Sequence, residues 1–451
     1  MLVMKFGGTS VTKPDSVAAI NTLVQRELNR QPILVVSALS GITDLLVKLS
    51  HTILDYEQED LFEQIFMKHD LWIKTIFAAN MDLQTSAFKL VHDYLDQLRE
   101  LLHSHGLVNQ LQLHDSVVSF GEKISSALIS LFLISNGVNA KQVLATSCII
   151  TTKQFGGADF IDAATKKACK KTILPLIEQG VVPVITGFIG ANTVGETTIL
   201  GRGGSDYSAA IIGYAVQSEE IQIWTDVNGV YSADPRVIKD AKLLKQLSYQ
   251  EAAELAMFGA KVLHPRTIQP AVRADIPVRV LNTFNIDNVG TIIAHAADNS
   301  DGTVKSVTWK KAVPLLNIYS ADMFLSKGFL QKIFAVLAKN NISVNMLSAS
   351  EVSVSVTLDT IGKLDEALQE LNKFAKTDYI EGFGTVSLVG EQIMNKHSLM
   401  QELFNLFQAT STQVQMLSYS ASNINISMIV PTDKIGEIVP LLHTKFITMS
   451  N

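Results

Sequence analysis

Up to about residue 295, short apolar runs rich in β-branched residues alternate with longer amphipathic stretches, a pattern that few architectures accommodate. The apolar runs fall at 2–6, 33–37, 143–146, 181–186, 221–225 and 278–281. Between them, 17–29, 124–135, 163–178 and 207–216 carry apolar residues at helical spacing. Strands that alternate with helices cross over and pair parallel, and a parallel sheet needs helices on both faces to bury such runs. The first part of the chain therefore reads as α/β, with a mainly parallel central sheet covered by helices. Residues 55–114 interrupt the alternation and read as almost continuously helical, an insertion beside the sheet. At 451 residues the chain exceeds one ordinary core, and the polar stretch 296–302 (Ala-Ala-Asp-Asn-Ser-Asp-Gly) is the natural boundary.

Beyond that boundary the sequence repeats at an offset of 70 residues: Ile333, Phe334 and Leu337 return as Leu403, Phe404 and Phe407. Val344, Met346, Leu347, Ser348 and Ser350 return as Val414, Met416, Leu417, Ser418 and Ser420, and Val354 and Val356 as Ile424 and Ile426. Register kept through a helical period and then a two-residue period marks one small α+β module present twice. Each copy reads strand, helix, strand, strand, helix. A duplicated small module is more often a binding or pairing device than a catalytic one.

Composition narrows the classes further. Apolar residues make up 47% and charged residues 18%, the profile of packed domains. A net charge of −6 without clustered Lys and Arg argues against a general nucleic-acid or membrane surface. Cys148 and Cys169 lack metal-ligand spacing, so reduced buried thiols are expected and no metal-binding side chains are assigned. The start, Met1-Leu2-Val3-Met4-Lys5-Phe6, lacks the apolar core of a signal peptide, and no uninterrupted apolar run approaches the roughly 18 residues that span a bilayer. The expectation is a cytoplasmic protein.

Two glycine-rich turns carry the chemistry. Lys5-Phe6-Gly7-Gly8-Thr9-Ser10 puts a cation and a Gly-Gly turn at the end of the first strand, where backbone N–H groups approach an anion unhindered by Cβ. It has neither P-loop nor dinucleotide spacing, and a tight structural turn is an equal reading. Gly201-Arg202-Gly203-Gly204-Ser205-Asp206 leads into the helical pattern from Tyr207. Donors at a helix N-terminus and the planar fork of Arg202 suit a carboxylate or a phosphate. Three glycines with an Arg, a Ser and an Asp exceed what a loop needs, so function is favoured there.

With these two turns the chain resembles the aspartate kinases of the amino-acid kinase superfamily. Further matching segments are Ser37-Ala38-Leu39-Ser40-Gly41-Ile42-Thr43, Phe120-Gly121-Glu122, Gly187-Phe188-Ile189-Gly190, Thr225-Asp226-Val227-Asn228-Gly229-Val230-Tyr231, Asp234-Pro235-Arg236 and Phe258-Gly259-Ala260-Lys261-Val262-Leu263-His264-Pro265. The likeness covers essentially the whole chain, and it rests on the number and order of the segments. It implies an amino-acid-kinase fold over 1–295 and ACT-type regulatory modules at 313–385 and 386–451. It also implies ATP and Mg²⁺ as cofactors, L-aspartate as substrate, and phosphorylation of the β-carboxylate as the reaction. Lys5, Phe6, Gly7 and Gly8 are implied at the nucleotide's phosphates, Thr225, Asp226, Tyr231 and Arg236 around the nucleotide, and Lys261 approaching it from the following helix. Thr43, Glu122, Arg202, Gly203, Gly204, Ser205 and Asp206 are implied to hold aspartate, with Phe188 lining the pocket. Lys5, Asp206 and Lys261 take the catalytic roles. Plainer readings stand beside three of these: Glu122 as a carboxylate favoured by a helix N-terminus, Tyr231 as partner of the Asn228-Gly229 turn, and Phe188 as core.

An aspartate side chain, with a pKa of about 3.9, is already ionised and nucleophilic at neutral pH, so the reaction needs no base. None of the ten histidines is a candidate for one. In lysine-inhibited relatives the effector pocket lies where paired modules meet in a dimer. The matching positions are Met323, Ser326, Phe329, Leu330, Ser343, Val344, Asn345, Ser350 and Glu351, and Asn345 stands where those relatives usually carry Asp. The implied partners are an amino-acid effector such as lysine and a second copy of the chain, as a homodimer or a dimer of dimers. Three alternatives stay open: modules that only build a dimer interface, another amino-acid kinase, and a catalytically inactive amino-acid sensor on a kinase scaffold.

Overall fold

A parallel sheet grows in both directions from the first strand. In the computed structural model, Leu2–Phe6 pairs parallel with Pro32–Val36 on one side and with Glu220–Thr225 on the other, aligning Lys5 with Val35 and Ile223. Val182–Thr186 and then Ala140–Val143 extend the first side; Val278–Asn282, Thr291–Ala294 and Gln246–Ser248 extend the second. Only Val278–Asn282 and Thr291–Ala294 run antiparallel. Every residue of Pro32–Val36 and Val182–Thr186 is buried, as unbroken apolar runs must be between two helical layers. The chain leaves Leu2–Phe6 toward one edge and Glu220–Thr225 toward the other. Their carboxyl ends therefore mark the reversal of strand order, outside which open α/β sheets bind ligands.

The structure describes residues 1–451 except 53, 105–108, 258–262, 264, 296–302, 325, 420–422 and 450–451, so the expected boundary at 296–302 lies outside the described residues. Two units are distinguished: Met1–Val230 with Leu243–Tyr249 and Val262–Ala297, and Tyr231–Lys242 with Gln250–Lys261 and Asp298–Asn451. Within the first, the helical insertion consists of Asp55–Ile76, Met81–His103 and Gln110–Val118. Trp72 of the insertion donates its Nε1–H to the Val11 carbonyl at 2.8 Å, which ties it to the short helix Gly8–Thr12. Among the described residues, Gln110–Ser135 is the one stretch long and apolar enough to cross a membrane. It breaks at Ser119 into two helices, and 78% of its apolar 18-residue window is buried within the protein.

In the second unit the repeat becomes two four-stranded antiparallel sheets. The first runs Ser343–Ala349, Ser353–Thr360, Leu315–Tyr319, Lys376–Ile380, with helices Phe329–Lys339 and Leu364–Leu371. The second runs Met416–Tyr419, Asn425–Pro431, Phe383–Val389, Ser306–Lys310, with helices Leu399–Ala409 and Thr432–His443. Ile333 and Leu403, equivalent in the repeat, are both fully buried under their sheets. The fourth strand of the second sheet, Ser306–Lys310, precedes the first module in the chain, so the first module is threaded between two strands of the second.

Two earlier segments also belong to this unit. Ala233 and Ile238 join the core that holds Val307, Leu388 and Phe446. Ser232 hydrogen-bonds His443 Nε2 at 2.9 Å and accepts from Val307 N at 2.8 Å through its carbonyl. Glu251 is fully buried, pairs with Lys305 Nζ at 2.7 Å and accepts from Glu391 N at 2.8 Å. Removing one partner of a buried, hydrogen-bonded pair strands the other charge. Glu251→Ala should therefore lower unfolding free energy by about 3–5 kcal/mol in denaturant titrations, and a loss below about 1 kcal/mol would contradict this role.

Candidate active site

The carboxyl end of Leu2–Phe6 opens into a cavity of about 540 Å³, lined by Lys5 and Gly8, by 37–41 with Thr43 and Asp44, by Glu122 and Phe188, and by Ile199 with 201–206. Each lining segment is placed by a local constraint. Gly7 N continues the sheet for one more bond, donating to the Trp224 carbonyl at 3.2 Å, and the chain then turns into the helix Gly8–Thr12. A Cβ on Gly8 would stand 3.0 Å from the Ala38 carbonyl, so the turn and the 37–41 loop touch backbone to backbone. Thr12 Oγ1 accepts from Ser40 N at 2.9 Å and holds that loop in place.

On the facing wall, Gly201 and Gly203 have φ of +79° and +69°, a left-handed region that side chains disfavour, and Arg202 stands between them. The helix Gly204–Val216 starts directly after, and the N–H groups of its first turn lack intrahelical acceptors, which suits an anion. Phe188 shares that left-handed conformation, at φ +69°, a strain of about 1–3 kcal/mol for a residue with a side chain. Its N–H donates to Ser208 Oγ at 2.9 Å, and its half-buried ring faces the cavity.

The charges are unevenly matched. Lys5 Nζ lies 2.6 Å from Asp206 Oδ1, a pair that is only slightly exposed. Arg202 is exposed and carries no ion pair among the described residues. Glu122 is 3% exposed; its Oε1 accepts from Ala38 N at 3.1 Å, while Oε2 has no partner among the described residues. Burial pushes this carboxyl up to about 8, and the Ala38 N–H offsets only part of that. Gly121 explains how it sits so deep: a Cβ there would meet Ala38 Cβ at 2.8 Å, so only glycine lets the helix approach this closely. An arriving ammonium group would restore the ionised form.

Of the residues the sequence singled out, Lys5, Gly8, Thr43, Glu122, Phe188, Arg202, Gly203, Gly204, Ser205 and Asp206 line this one cavity. Asp44 and Ile199 line it too, and the segments quoted in the sequence stop just short of both. Gly7 sits beside it, 3.6 Å from Lys5 Nζ by its Cβ direction. The Phe6 side chain does not reach the cavity: it is fully buried and stacks on Trp224, with ring centroids 6.2 Å apart. Thr225 ends the strand Glu220–Thr225 and Asp226 follows it, with Thr225 Oγ1 donating to Asp226 Oδ1 at 3.2 Å. Tyr231 and Arg236 belong to the second unit, where Arg236 pairs with Asp234 at 2.7 Å. Lys261 and the rest of 258–262, with His264, lie outside the described residues.

The positions implied for an effector are spread along the first module: Ser350 and Glu351 lie at the end where Ser320 N donates to the Val352 carbonyl at 3.0 Å, and Ser343 lies at the other end of its strand, paired with Thr360. Ser326, Leu330, Ser343, Ser350 and Glu351 are exposed; Met323, Val344 and Asn345 are half-buried. Phe329 is 7% exposed and packs edge-on against Phe374, so its ring belongs to the module's core.

Glu122 generates a test that needs no ligand. In the folded chain the carboxyl keeps its proton up to about pH 8, whereas the unfolded chain releases it near 4.5. The folded state holds the extra proton between those values, so stability falls as pH rises through that window. Glu122→Gln should remove this slope and gain on the wild type by up to about 5 kcal/mol above pH 8. Urea unfolding of the ligand-free proteins at pH 5 and pH 9 reads it, and identical pH slopes would contradict the assignment.

Comparison with known proteins gives this geometry a family. The amino acid kinase family profile matches residues 1–282, and the ACT domain profile matches 316–373 and 386–446. Aspartokinase 1 of Arabidopsis thaliana, a chloroplastic protein, is 34% identical over 98% of this chain and 80% of its own length. Lysine-sensitive aspartokinase 3 of Escherichia coli is 33% identical over 98% of both. The structure of E. coli aspartokinase III with lysine and aspartate, a T-state, matches at a TM-score of 0.83 and covers 99% of each chain. That of E. coli aspartokinase III with aspartate and ADP, an R-state, also scores 0.83, over 98% and 99% of the two chains. Profile and full-length identity together show that the chain belongs to the aspartokinases, within the amino acid kinase family.

Proposed function

We propose that this chain transfers the γ-phosphoryl group of ATP to the β-carboxylate of L-aspartate, forming 4-phospho-L-aspartate at the head of amino-acid biosynthesis from aspartate. The observation that carries the reading is the charge layout of the cavity. Among the described residues, a buried carboxyl with a free oxygen (Glu122) and an unpaired guanidinium (Arg202) line the same space as a lysine at a glycine turn. An amino acid presents a cation and a carboxylate, and a site that requires both selects it over a simple dicarboxylate.

In this reading Arg202 clamps the α-carboxylate by its fork, and Glu122 answers the α-ammonium. Thr43, Ser205, Gly203 and Gly204 frame the substrate, and Phe188 walls the pocket. The β-carboxylate attacks in its ionised form, so no proton needs to be removed. Lys5 exchanges its contact with Asp206 for the transferring phosphate, and the first-turn amides spread the charge on the equatorial oxygens. Gly7, the Phe6 backbone, Thr225, Asp226, Tyr231, Arg236 and Lys261 serve the nucleotide. Mg²⁺ takes one or two carboxylates besides phosphates and waters, a demand that Asp206 on the cavity wall fits. When bound, it shields the phosphate charge from the incoming carboxylate. The product is an acyl phosphate, which the cavity walls must keep from water.

Residues 1–295 are the kinase in this account, and the modules at 313–385 and 386–451 bind an amino-acid effector, lysine foremost, at the interface of a homodimer or dimer of dimers. The unpaired thiols of Cys148 and Cys169, both buried, accord with a reducing compartment such as the cytoplasm.

Protein incubated with MgATP, L-aspartate and hydroxylamine should yield aspartyl hydroxamate, and equal turnover of glutamate or N-acetylglutamate would overturn the assignment. In the same assay Lys5→Ala should depress kcat far more than aspartate KM, because its contact is with charge that moves in the transition state. Arg202→Ala should chiefly raise aspartate KM, by the roughly 1.5–3 kcal/mol of a lost charge-assisted contact. The same defect in both variants would count against separate roles.

Asn345 sets the strength of the regulation. Both a carboxylate and an amide oxygen can accept from an ammonium, and the carboxylate adds an ion-pair attraction of about 1 kcal/mol at an exposed site. Asn345→Asp should therefore lower the lysine concentration for half-inhibition several-fold and leave kcat without lysine unchanged. An unchanged inhibition curve would remove Asn345 from the effector site.

A further inference from the structure

We propose that Asp115 is a positioning residue for the amino-acid substrate: its buried carboxylate fixes the segment that carries Arg202. The inference rests on the aspartate-binding reading above. Asp115 sits in the helix Gln110–Val118, is fully buried, and does not line the cavity. Its carboxylate spans two backbone segments far apart in sequence. Both oxygens accept from Gly156 N, at 3.1 and 3.0 Å, and Oδ2 also accepts from Ile199 N at 3.0 Å.

Those two segments build one wall of the site. Ile199 lines the cavity and ends the strand Thr197–Ile199, three residues before Arg202. Its carbonyl accepts from Ala158 N at 2.8 Å, so the 156–158 loop and this strand end are joined twice, once directly and once through Asp115. Next along, Leu200 N donates to the Phe188 carbonyl at 2.9 Å. The turn at Gly201 then passes over that same loop: a Cβ there would stand 3.6 Å from Gly157 Cα and 3.9 Å from the Gly156 carbonyl. The base of the Arg202 turn thus hangs from Asp115 on one side and from the Phe188 backbone on the other.

An acceptor is required at the Oδ2 position, because both N–H groups donate to that oxygen. Burial pushes the carboxyl up to about 6, and the Gly156 and Ile199 N–H groups act against that, so at neutral pH it is the acceptor form that is present. Loss of the side chain would leave the Ile199 N–H buried and unpaired and would release the Gly156 N–H, which the wall relieves by moving. What moves with it is the guanidinium meant for the substrate's α-carboxylate. Lys5, Asp206 and Glu122 are held by other contacts.

The test compares Asp115→Ala with Asp115→Asn. The amide oxygen of Asn, set where Oδ2 now lies, accepts from both N–H groups, so this variant should keep the brace. Asp115→Ala should raise aspartate KM about tenfold or more, with ATP KM and kcat within a few-fold of wild type. Amide exchange at Gly156 and Ile199 should quicken in Asp115→Ala and return toward wild type in Asp115→Asn, a readout that does not depend on activity. An unchanged aspartate KM in Asp115→Ala overturns the inference alone. So does a uniform loss of kcat and of affinity for both substrates that Asn fails to rescue, which marks general damage. A wild-type protein that neither binds nor phosphorylates aspartate overturns the functional reading, and this inference with it.

Discussion

A carboxyl group withdrawn from water must find a partner, lose its charge, or wait for a ligand, and Glu122 has half a partner. One oxygen is held by Ala38 N–H, and the other is bare beside a cavity. Around it the site keeps its account neutral: Lys5 is matched by Asp206, Glu122 holds its proton, and Arg202 stays in solvent. Lys5, Glu122 and Arg202 thus bring no uncompensated buried charge to the cavity while it is empty, which avoids a penalty that would reach several kcal/mol per ion. The substrate's ammonium and α-carboxylate are what complete the arrangement. Selectivity and stability are thereby linked through one side chain.

The backbone around that carboxyl is built for close approach. Glycine at 121 lets the helix settle on the 37–41 loop, and glycine at 8 lets the first turn settle on the same loop from the other side. The parallel sheet supplies the reason these turns converge at all. Its order reverses beside Leu2–Phe6, so the loops after Leu2–Phe6 and Pro32–Val36 leave its carboxyl edge side by side. Phe188 holds a strained conformation at the end of the neighbouring strand, which is where strain is expected to serve a site.

How much of this was legible depended on whether a feature had a period or a motif. The parallel strands and the helical insertion showed because apolar spacing alone specifies them, and the duplicated module showed because Ile333 and Leu403 keep their register. The two glycine-rich turns on the cavity showed by composition and charge, whereas Thr43, Glu122 and Phe188 came only with the family resemblance. Ser306–Lys310 was not legible as part of the second module, since Ser-Val-Thr-Trp-Lys has no strong alternation and its partner Phe383–Val389 lies beyond a whole intervening module. Phe188 was implied at the pocket by resemblance, with core as the plainer reading, and nothing in its neighbours reveals its left-handed backbone. Phe6, inside a recognisable motif, turned its ring into the sheet's core, since alternation along a strand sends Lys5 and Phe6 to opposite faces. Asp115 is a lone acid in an amphipathic helix; its partners, Gly156 and Ile199, are dozens of residues away and contribute only backbone, which no sequence pattern records.

The central claim is that Glu122 is neutral in the empty protein and ionises when the substrate's ammonium arrives. Calorimetric titration of aspartate at pH 7, repeated in buffers of different ionisation enthalpy, measures this directly as protons released per aspartate bound. With the carboxyl at about 8 before binding and well below neutrality after it, the release should be close to one proton in the wild type and absent in Glu122→Gln. Binding of aspartate without proton release, or with the same release in the variant, would contradict the account.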